Sequence, residues 1–142
     1  MIIQEKRAET VAALALELWP GHTQETLTGE FEELLADPDC AVFLLALEGR
    51  PAGFAQCQLR HDYVEGTETS PVGYLEGIYV RPEYRRLGHA RELLAACEQW
   101  ARERGCTEFA SDCELDDTSS ARFHEKLGFA EANRIICFTK KL

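Results

Sequence analysis

A chain of 142 residues is the size of one domain and can bury a core without metal ions or disulfides. Hydrophobic residues make up 45% and charged residues 28% of it, which is typical of a globular protein and excludes a disordered chain. The formal net charge of -10 argues against nucleic acid or an anionic membrane as partner. It fits a cationic partner, although acidity also serves solubility alone.

The composition further predicts a single domain over residues 1–142 of a cytoplasmic protein. No apolar run approaches the about 20 residues that a membrane helix requires, and the N-terminus does not resemble an export signal. The cysteines are scattered without a C-x-x-C pair or a nearby histidine at ligand spacing, so we expect neither a metal site nor disulfides. They are predicted to be reduced packing residues: Cys40, Cys57, Cys97, Cys106, Cys113 and Cys137.

The N-terminal third predicts a short strand and two helices. The strand is expected near residues 2–6. Apolar residues at helical spacing follow, and Trp19-Pro20-Gly21 ends this first helix. Thr23 is a plausible N-cap for a second helix, which ends before Asp37.

The middle of the chain predicts three consecutive antiparallel strands. The unbroken apolar run 41–47 is typical of a strand that is covered on both faces. A turn leads back into a strand over 53–60, and a polar loop separates it from the third strand, 73–80.

The C-terminal part predicts a strand–helix–strand unit. An amphipathic helix ends at Gly105 and precedes a strand over 107–112, which should run parallel to strand 73–80 after a crossover of this length. A short helix over about 117–127 and final strands over 129–141 complete a mixed α/β chain.

The loop before the long helix has the composition of an anion site. It reads Arg-Pro-Glu-Tyr-Arg-Arg-Leu-Gly-His-Ala-Arg over 81–91, and it contains the pattern R-x-x-G-x-A. A helix N-terminus offers unpaired amides and a positive dipole to a diphosphate, and glycine lets the backbone approach closely. Alone the pattern also occurs as a helix cap. Its place between strand and helix, with Ala-Arg-Phe-His-Glu-Lys-Leu-Gly-Phe over 121–129 further on, favours the anion site.

With these motifs the chain resembles the GNAT superfamily of N-acetyltransferases, in element order along its whole length. The resemblance implies an α/β (α+β) fold with a mixed, mostly antiparallel central sheet, splayed parallel strands 4 and 5, and helices on both faces. It implies acetyl-CoA as co-substrate, with its pantetheine arm in the gap between the splayed strands. The residues implied to bind it, mainly through the backbone, are Ile78, Val80, Arg85, Arg86, Leu87, Gly88, His89, Ala90 and Arg91.

One position departs from the superfamily pattern. Many members have a tyrosine that protonates the leaving thiolate where this chain has His124. A histidine could donate a proton there, and a plain surface or packing role is the alternative.

Two carboxylates are candidates for removing the proton of an amine acceptor, Glu76 and Asp112. Strand alternation places Glu76 on the same face as Tyr74 and Ile78, within a strand that is otherwise apolar. The alternatives are an ion pair of Glu76 with an arginine such as Arg60, and a strand-end cap for Asp112. Cys113 lies close by but has no visible base partner, so direct transfer in a ternary complex is favoured over a covalent intermediate.

Longer segments resemble the aminoglycoside 6′-N-acetyltransferases of bacterial resistance: 18–22, 60–66, 69–80 and 110–112. The resemblance implies a cationic aminoglycoside as acceptor and a homodimer formed through the C-terminal strands. It implies an acceptor pocket lined by Trp19, His22, Tyr63, Glu65, Glu76 and Asp112. Two alternatives stay open: another amine acceptor, such as a polyamine, an amino acid or a protein lysine, and a non-catalytic acetyl-CoA-binding module.

Overall fold

The chain folds around one five-stranded sheet, and the computed structural model describes all of residues 1–142. The strands lie side by side in the order of the sequence. In chain order the elements are β1 (Ile2–Gln4), α1 (Ala8–Leu18), α2 (Gln24–Ala36), β2 (Cys40–Leu47), β3 (Arg50–Arg60), β4 (Val72–Val80), a 3₁₀ turn (Pro82–Tyr84), α3 (His89–Glu103), β5 (Phe109–Ala110) and α4 (Thr118–Lys126).

The sheet is mixed, as predicted. Strands β1 to β4 pair in antiparallel order, and β5 lies parallel to β4 at the edge. Helix α3 makes the crossover between these last two strands. The predicted meander and the strand–helix–strand unit are therefore confirmed.

The two parallel strands separate after a short contact. They share only two residue pairs, of which Tyr74–Ala110 is the last. Beyond it no backbone pairing continues, and Ser111 Oγ lies 3.3 Å from the Leu75 carbonyl oxygen. The strand predicted over 107–112 is therefore much shorter, and the C-terminal half of β4 has a free edge on this side.

Helices cover both faces of the sheet. Helices α1 and α2 pack on one face, where the fully buried Phe54 meets Trp19 and Phe31 edge to face with ring centroids 6.3 Å apart. Helix α3 covers the other face through Leu93 and Trp100. Full burial of one such side chain contributes about 1.5–3 kcal/mol, so these two layers hold the sheet in place. None of the helices combines the length and the apolar character that a membrane crossing requires.

Strand β4 carries one residue more than its partner β3. Leu75 and Gly77 pair with adjacent residues of β3, which leaves Glu76 between them without a partner. A bulge of this kind shifts the alternation of side chains by one residue. Ile78 consequently packs into the core under α3, so the prediction that Glu76 shares a face with Tyr74 and Ile78 is wrong for Ile78.

The C-terminal tail, residues 130–142, contains no strand and is exposed throughout. Its apolar side chains include Ile135, Ile136 and Phe138, which are 63%, 81% and 88% exposed. The prediction of final strands over 129–141 is wrong for the isolated chain. The physical reason is that no strand of the same chain lies beside the tail to accept and donate its backbone hydrogen bonds.

The cysteines are all free. Cys57, Cys97 and Cys106 are buried and pack in the core as predicted, whereas Cys113 and Cys137 are exposed, so the packing prediction is wrong for these two. A hydrogen bond with Cys57, together with burial, raises the pKa of Cys97 well above its ordinary value, which keeps this thiol protonated at neutral pH.

Candidate active site

A cavity of about 320 Å³ lies between the sheet and helices α1 and α2. Its wall contains three of the six predicted acceptor residues, Trp19, His22 and Glu76. The remaining wall residues were not predicted: Leu27, Glu30, Phe31, Leu34 and Gln56. Only the tertiary structure shows that the apolar residues of α2 border a cavity.

Trp19, the C-cap residue of α1, forms one wall of the cavity. Its ring lies against the backbone of Gly77, where an added Cβ would be 3.1 Å from Cη2 and 3.3 Å from Cζ2. Such distances are too short for ordinary packing, so the ring occupies this place because residue 77 has no side chain. Gly77 directly follows the bulge at Glu76, which brings the aromatic ring and the carboxylate to the same wall.

Glu76 is held by two donors that reach the same carboxylate oxygen. Gln58 Nε2 lies 2.6 Å and Arg60 Nη2 lies 2.8 Å from Glu76 Oε1. The other oxygen, Oε2, has no hydrogen bond from the protein, and the side chain is 24% exposed. The ion pair that we considered as an alternative role is thus present, yet Glu76 also lines the cavity and keeps one oxygen without a hydrogen bond from the protein.

Arg60 connects Glu76 to the second candidate carboxylate. Its guanidinium carbon lies 3.4 Å from the centroid of the Tyr74 ring, and the Tyr74 hydroxyl donates a hydrogen bond to Asp112 Oδ2. Burial, and then the bond to Asp112, raise the pKa of Tyr74 far above its ordinary value, so the hydroxyl remains a donor at neutral pH. Asp112 is exposed and its side chain bonds to Tyr74 rather than capping the strand end.

The other three predicted acceptor residues do not line the cavity: Asp112, and Tyr63 and Glu65 on the loop between β3 and β4. Tyr63 is 76% exposed. Glu65 accepts a hydrogen bond from Asn133 Nδ2, which links this loop to the C-terminal tail. The structure of the single chain therefore does not bring Tyr63 and Glu65 to Glu76.

The loop before α3 has the backbone geometry of an anion site. Arg86 and Gly88 have positive φ angles of 65° and 84°, and Gly88 is the N-cap of α3. This turn presents the first amides of the helix, which have no acceptor within the helix. Arg85 Nε donates to the Val80 carbonyl over 2.7 Å and so fixes the loop to the end of β4. All nine predicted cofactor residues thus lie on the free half of β4, on this loop or in the first turn of α3.

A hydrogen-bonded serine and histidine lie where β5 leaves β4. Ser111 Oγ is 2.8 Å from His124 Nε2, and His124 Nδ1 is 2.7 Å from the Ser120 carbonyl oxygen. A carbonyl only accepts, so Nδ1 carries a proton and Nε2 of the neutral ring accepts the Ser111 hydroxyl. His124 can therefore give a proton from Nε2 only as an imidazolium.

Comparison with known proteins decides the family. Residues 8–129 match the model of the Acetyltransferase (GNAT) family. The chain is a GNAT acetyltransferase. The sequence-based prediction of the superfamily is therefore confirmed.

Curated relatives of this GNAT protein carry the name aminoglycoside N(6′)-acetyltransferase type 1. The one from Stenotrophomonas maltophilia is 46% identical over 92% of this chain and 85% of its own length. The one from Salmonella typhimurium strain LT2 is 41% identical over 90% of this chain and 88% of its own length.

Solved structures agree with the fold. AAC(6′)-Iy in complex with the bisubstrate analogue CoA-S-monomethyl-acetylneamine has a TM-score of 0.94 at 39% identity and covers 100% of this chain and 98% of that one. AAC(6′)-Ih from Acinetobacter baumannii also has a TM-score of 0.94, at 37% identity over 100% of this chain and 98% of that one. The predicted GNAT fold is therefore confirmed.

We predict that Gly77→Ala displaces the Trp19 ring, because the new Cβ would lie 3.1 Å from it. Overpacking of this kind costs about 1–3 kcal/mol of unfolding free energy. Chemical denaturation would measure this loss. Tryptophan emission in a Trp100→Phe background would show the change in the environment of the Trp19 ring.

Gly29→Ala is the matched control. Gly29 lies within α2 with no atom within 4 Å of the added Cβ. This substitution should stabilise the helix by roughly 1 kcal/mol and leave Trp19 emission unchanged. Unchanged emission and stability in Gly77→Ala would contradict the assigned contact.

Proposed function

We propose that this GNAT protein transfers the acetyl group of acetyl-CoA to the 6′-amino group of aminoglycosides, in a ternary complex. The observation that carries the proposal is the cavity that Trp19, His22 and Glu76 line beside the open edge of β4, with one oxygen of Glu76 free of hydrogen bonds from the protein. The activity for which the relatives are named, at 41–46% identity over most of the chain, supports the same acceptor.

The acetyl donor would bind along β4 and α3. Backbone groups of Ile78 and Val80, on the side of β4 that faces away from β3, have no strand partner and can hold the acetyl and pantetheine groups. The amides from Arg86 to Arg91, at the start of α3, would hold the diphosphate, with Arg85 adding charge. A solved structure of AAC(6′)-Iy contains CoA, which supports this assignment.

The acceptor would bind in the cavity as a polycation. Aromatic faces such as that of Trp19 pack on sugar rings, and carboxylates bind ammonium groups. Tyr63 and Glu65 lie on the neighbouring loop, and we propose that they contact the acceptor at the mouth of the cavity. The formal net charge of -10 favours encounter with a cationic acceptor.

The reaction needs a neutral nitrogen. Glu76 Oε2 or Asp112 would accept the proton of the 6′-ammonium, and the freed nitrogen would attack the thioester carbonyl. Backbone amides of β4 would polarise that carbonyl, and the tetrahedral adduct would expel the CoA thiolate, which takes up the second proton that the nitrogen loses as the amide forms. Direct attack needs no enzyme nucleophile, and the exposed Cys113 has no hydrogen-bonded base.

We predict thiol release from acetyl-CoA with kanamycin or tobramycin, and none with an otherwise similar aminoglycoside that has a 6′-hydroxyl in place of the amine. Turnover of the 6′-hydroxyl compound would place the acetyl group on another nitrogen. Binding of acetyl-CoA with no aminoglycoside turnover would favour a polyamine, an amino acid or a protein lysine as acceptor. Failure with every amine would favour a non-catalytic acetyl-CoA-binding module.

We predict that Glu76→Gln and Asp112→Asn each lower kcat by about 10²- to 10⁴-fold, the usual contribution of a positioned acid or base. Neither side chain lies in the loop before α3, so acetyl-CoA affinity, measured by calorimetry, should be nearly unchanged. Asp39→Asn is the matched control, because Asp39 pairs with the exposed His61. An equal loss of acetyl-CoA affinity would make Glu76 and Asp112 structural residues.

We further propose that the protein is a cytoplasmic homodimer in which the tail 130–142 pairs with a second copy. Free cysteines are typical of a reducing compartment. The tail holds β-branched and aromatic residues, Ile135-Ile136-Cys137-Phe138-Thr139, that favour a strand and are exposed in the single chain. An exposed apolar segment of this kind is typical of a protein–protein interface.

Sedimentation should therefore give about twice the 16.0 kDa mass of the chain. Phe138→Asp should shift the mass toward the monomer, because the charge would be desolvated in the interface. Leu115→Asp, at a residue 77% exposed outside the tail, should leave the dimer intact. A mass of 16.0 kDa for the unchanged protein would overturn the dimer.

A further inference from the structure

Arg60 is a cation within a site that is proposed to bind cations. It lies at the end of β3, where its Nη2 donates to Glu76 Oε1 over 2.8 Å. The face of the same guanidinium covers the Tyr74 ring at 3.4 Å from its centroid. The Tyr74 hydroxyl in turn donates to Asp112. One guanidinium is therefore bonded to Glu76 directly and linked to Asp112 through Tyr74.

These contacts contribute little to the free energy of unfolding. Arg60 is 37% and Glu76 is 24% exposed, and solvent screens an ion pair at this exposure to about 0–1 kcal/mol. The geometry, in contrast, is specific. Gln58 and Arg60 both bind Oε1, so the carboxylate has one defined orientation, with Oε2 left free.

The charge of the site also depends on Arg60. Glu76 and Asp112 carry two negative charges when ionised, and Arg60 offsets one of them. One negative charge then remains, which a single ammonium group neutralises. Without Arg60 the two carboxylates would attract a cation more strongly, Gln58 alone would hold Glu76, and the Tyr74 ring that holds Asp112 would be uncovered.

We propose that Arg60 is a positioning residue that orients both carboxylates of the acceptor site. It presents Glu76 Oε2 to the acceptor ammonium and, by covering the Tyr74 ring, fixes the hydroxyl that holds Asp112. The inference rests on the proposed function, since it assigns the orientation of the groups that accept the proton.

The first test separates kcat from KM. Arg60→Ala should lower kcat by about 10- to 100-fold, the cost of a misplaced catalytic group. KM for the aminoglycoside should not rise, because the remaining charge still attracts the cation, and acetyl-CoA affinity should be unchanged. Arg50→Ala, at an exposed position at the other end of β3, should leave all three quantities at wild-type values.

Three further variants, and chemical rescue of kcat by guanidinium, distinguish a positioning role of Arg60 from structural damage. Millimolar guanidinium should restore part of the kcat of Arg60→Ala, and urea should not. Arg60→Lys keeps the charge but lacks the planar group over Tyr74, so its kcat should be intermediate. Arg60→Ala should have a smaller effect on kcat in the Glu76→Gln and Asp112→Asn backgrounds than in the wild type, because residues that act as a unit are non-additive.

The inference is overturned by a raised KM for the aminoglycoside, by an equal loss of kcat in all three backgrounds, or by the absence of guanidinium rescue. A measurement that does not depend on activity can test the role of Arg60 separately from the proposed function. The carboxyl ¹³C resonances of both Glu76 and Asp112 should move in Arg60→Ala, whereas that of Asp39 should not. An unmoved Asp112 resonance refutes the positioning role. Moved resonances without turnover of any aminoglycoside would refute the acceptor and retain the role of Arg60.

Discussion

The extra residue in β4 is the constraint on which the rest of the site depends. A strand with strict alternation would place Glu76 and Ile78 on one face, and the carboxylate would then compete with the core under α3. The bulge instead turns Glu76 toward α1 and α2 while Ile78 stays in the core. The cavity that we propose to bind the acceptor and the hydrophobic core under α3 can therefore lie on opposite faces of one short strand.

Strand β4 also has an open edge, because β5 pairs with it over only a short length. Strands β4 and β5 share two residue pairs, after which the edge of β4 is open and the loop before α3 presents its amides beside it. The elements that we propose to bind the donor and the acceptor thus meet along residues 75–80. A continuous β5 would have used the backbone groups that a thioester-bearing cofactor needs.

Charge in the acceptor site is balanced rather than simply acidic. Arg60 lies between the carboxylates of a chain whose formal net charge is -10. Long-range acidity favours encounter with a cation, whereas the local geometry of a few groups decides which atoms meet. The tail, residues 130–142, also has an unsatisfied surface, but an apolar one. Its side chains of Ile136 and Phe138 are exposed, and no other part of the single chain covers them.

Sequence alone determined the family and the order of most elements, and it singled out the loop that we propose to bind the donor, because local patterns such as helical spacing and R-x-x-G-x-A depend on neighbours along the chain. It also selected Trp19, His22 and Glu76, which share one cavity wall. The bulge at Glu76, the two-pair contact of β5 and the double contact of Arg60 were decided only by the tertiary structure. The tail was misassigned for a related reason. Strand pairing, side-chain register and ion-pair geometry depend on residues distant in sequence, and no local pattern records which of those residues come into contact.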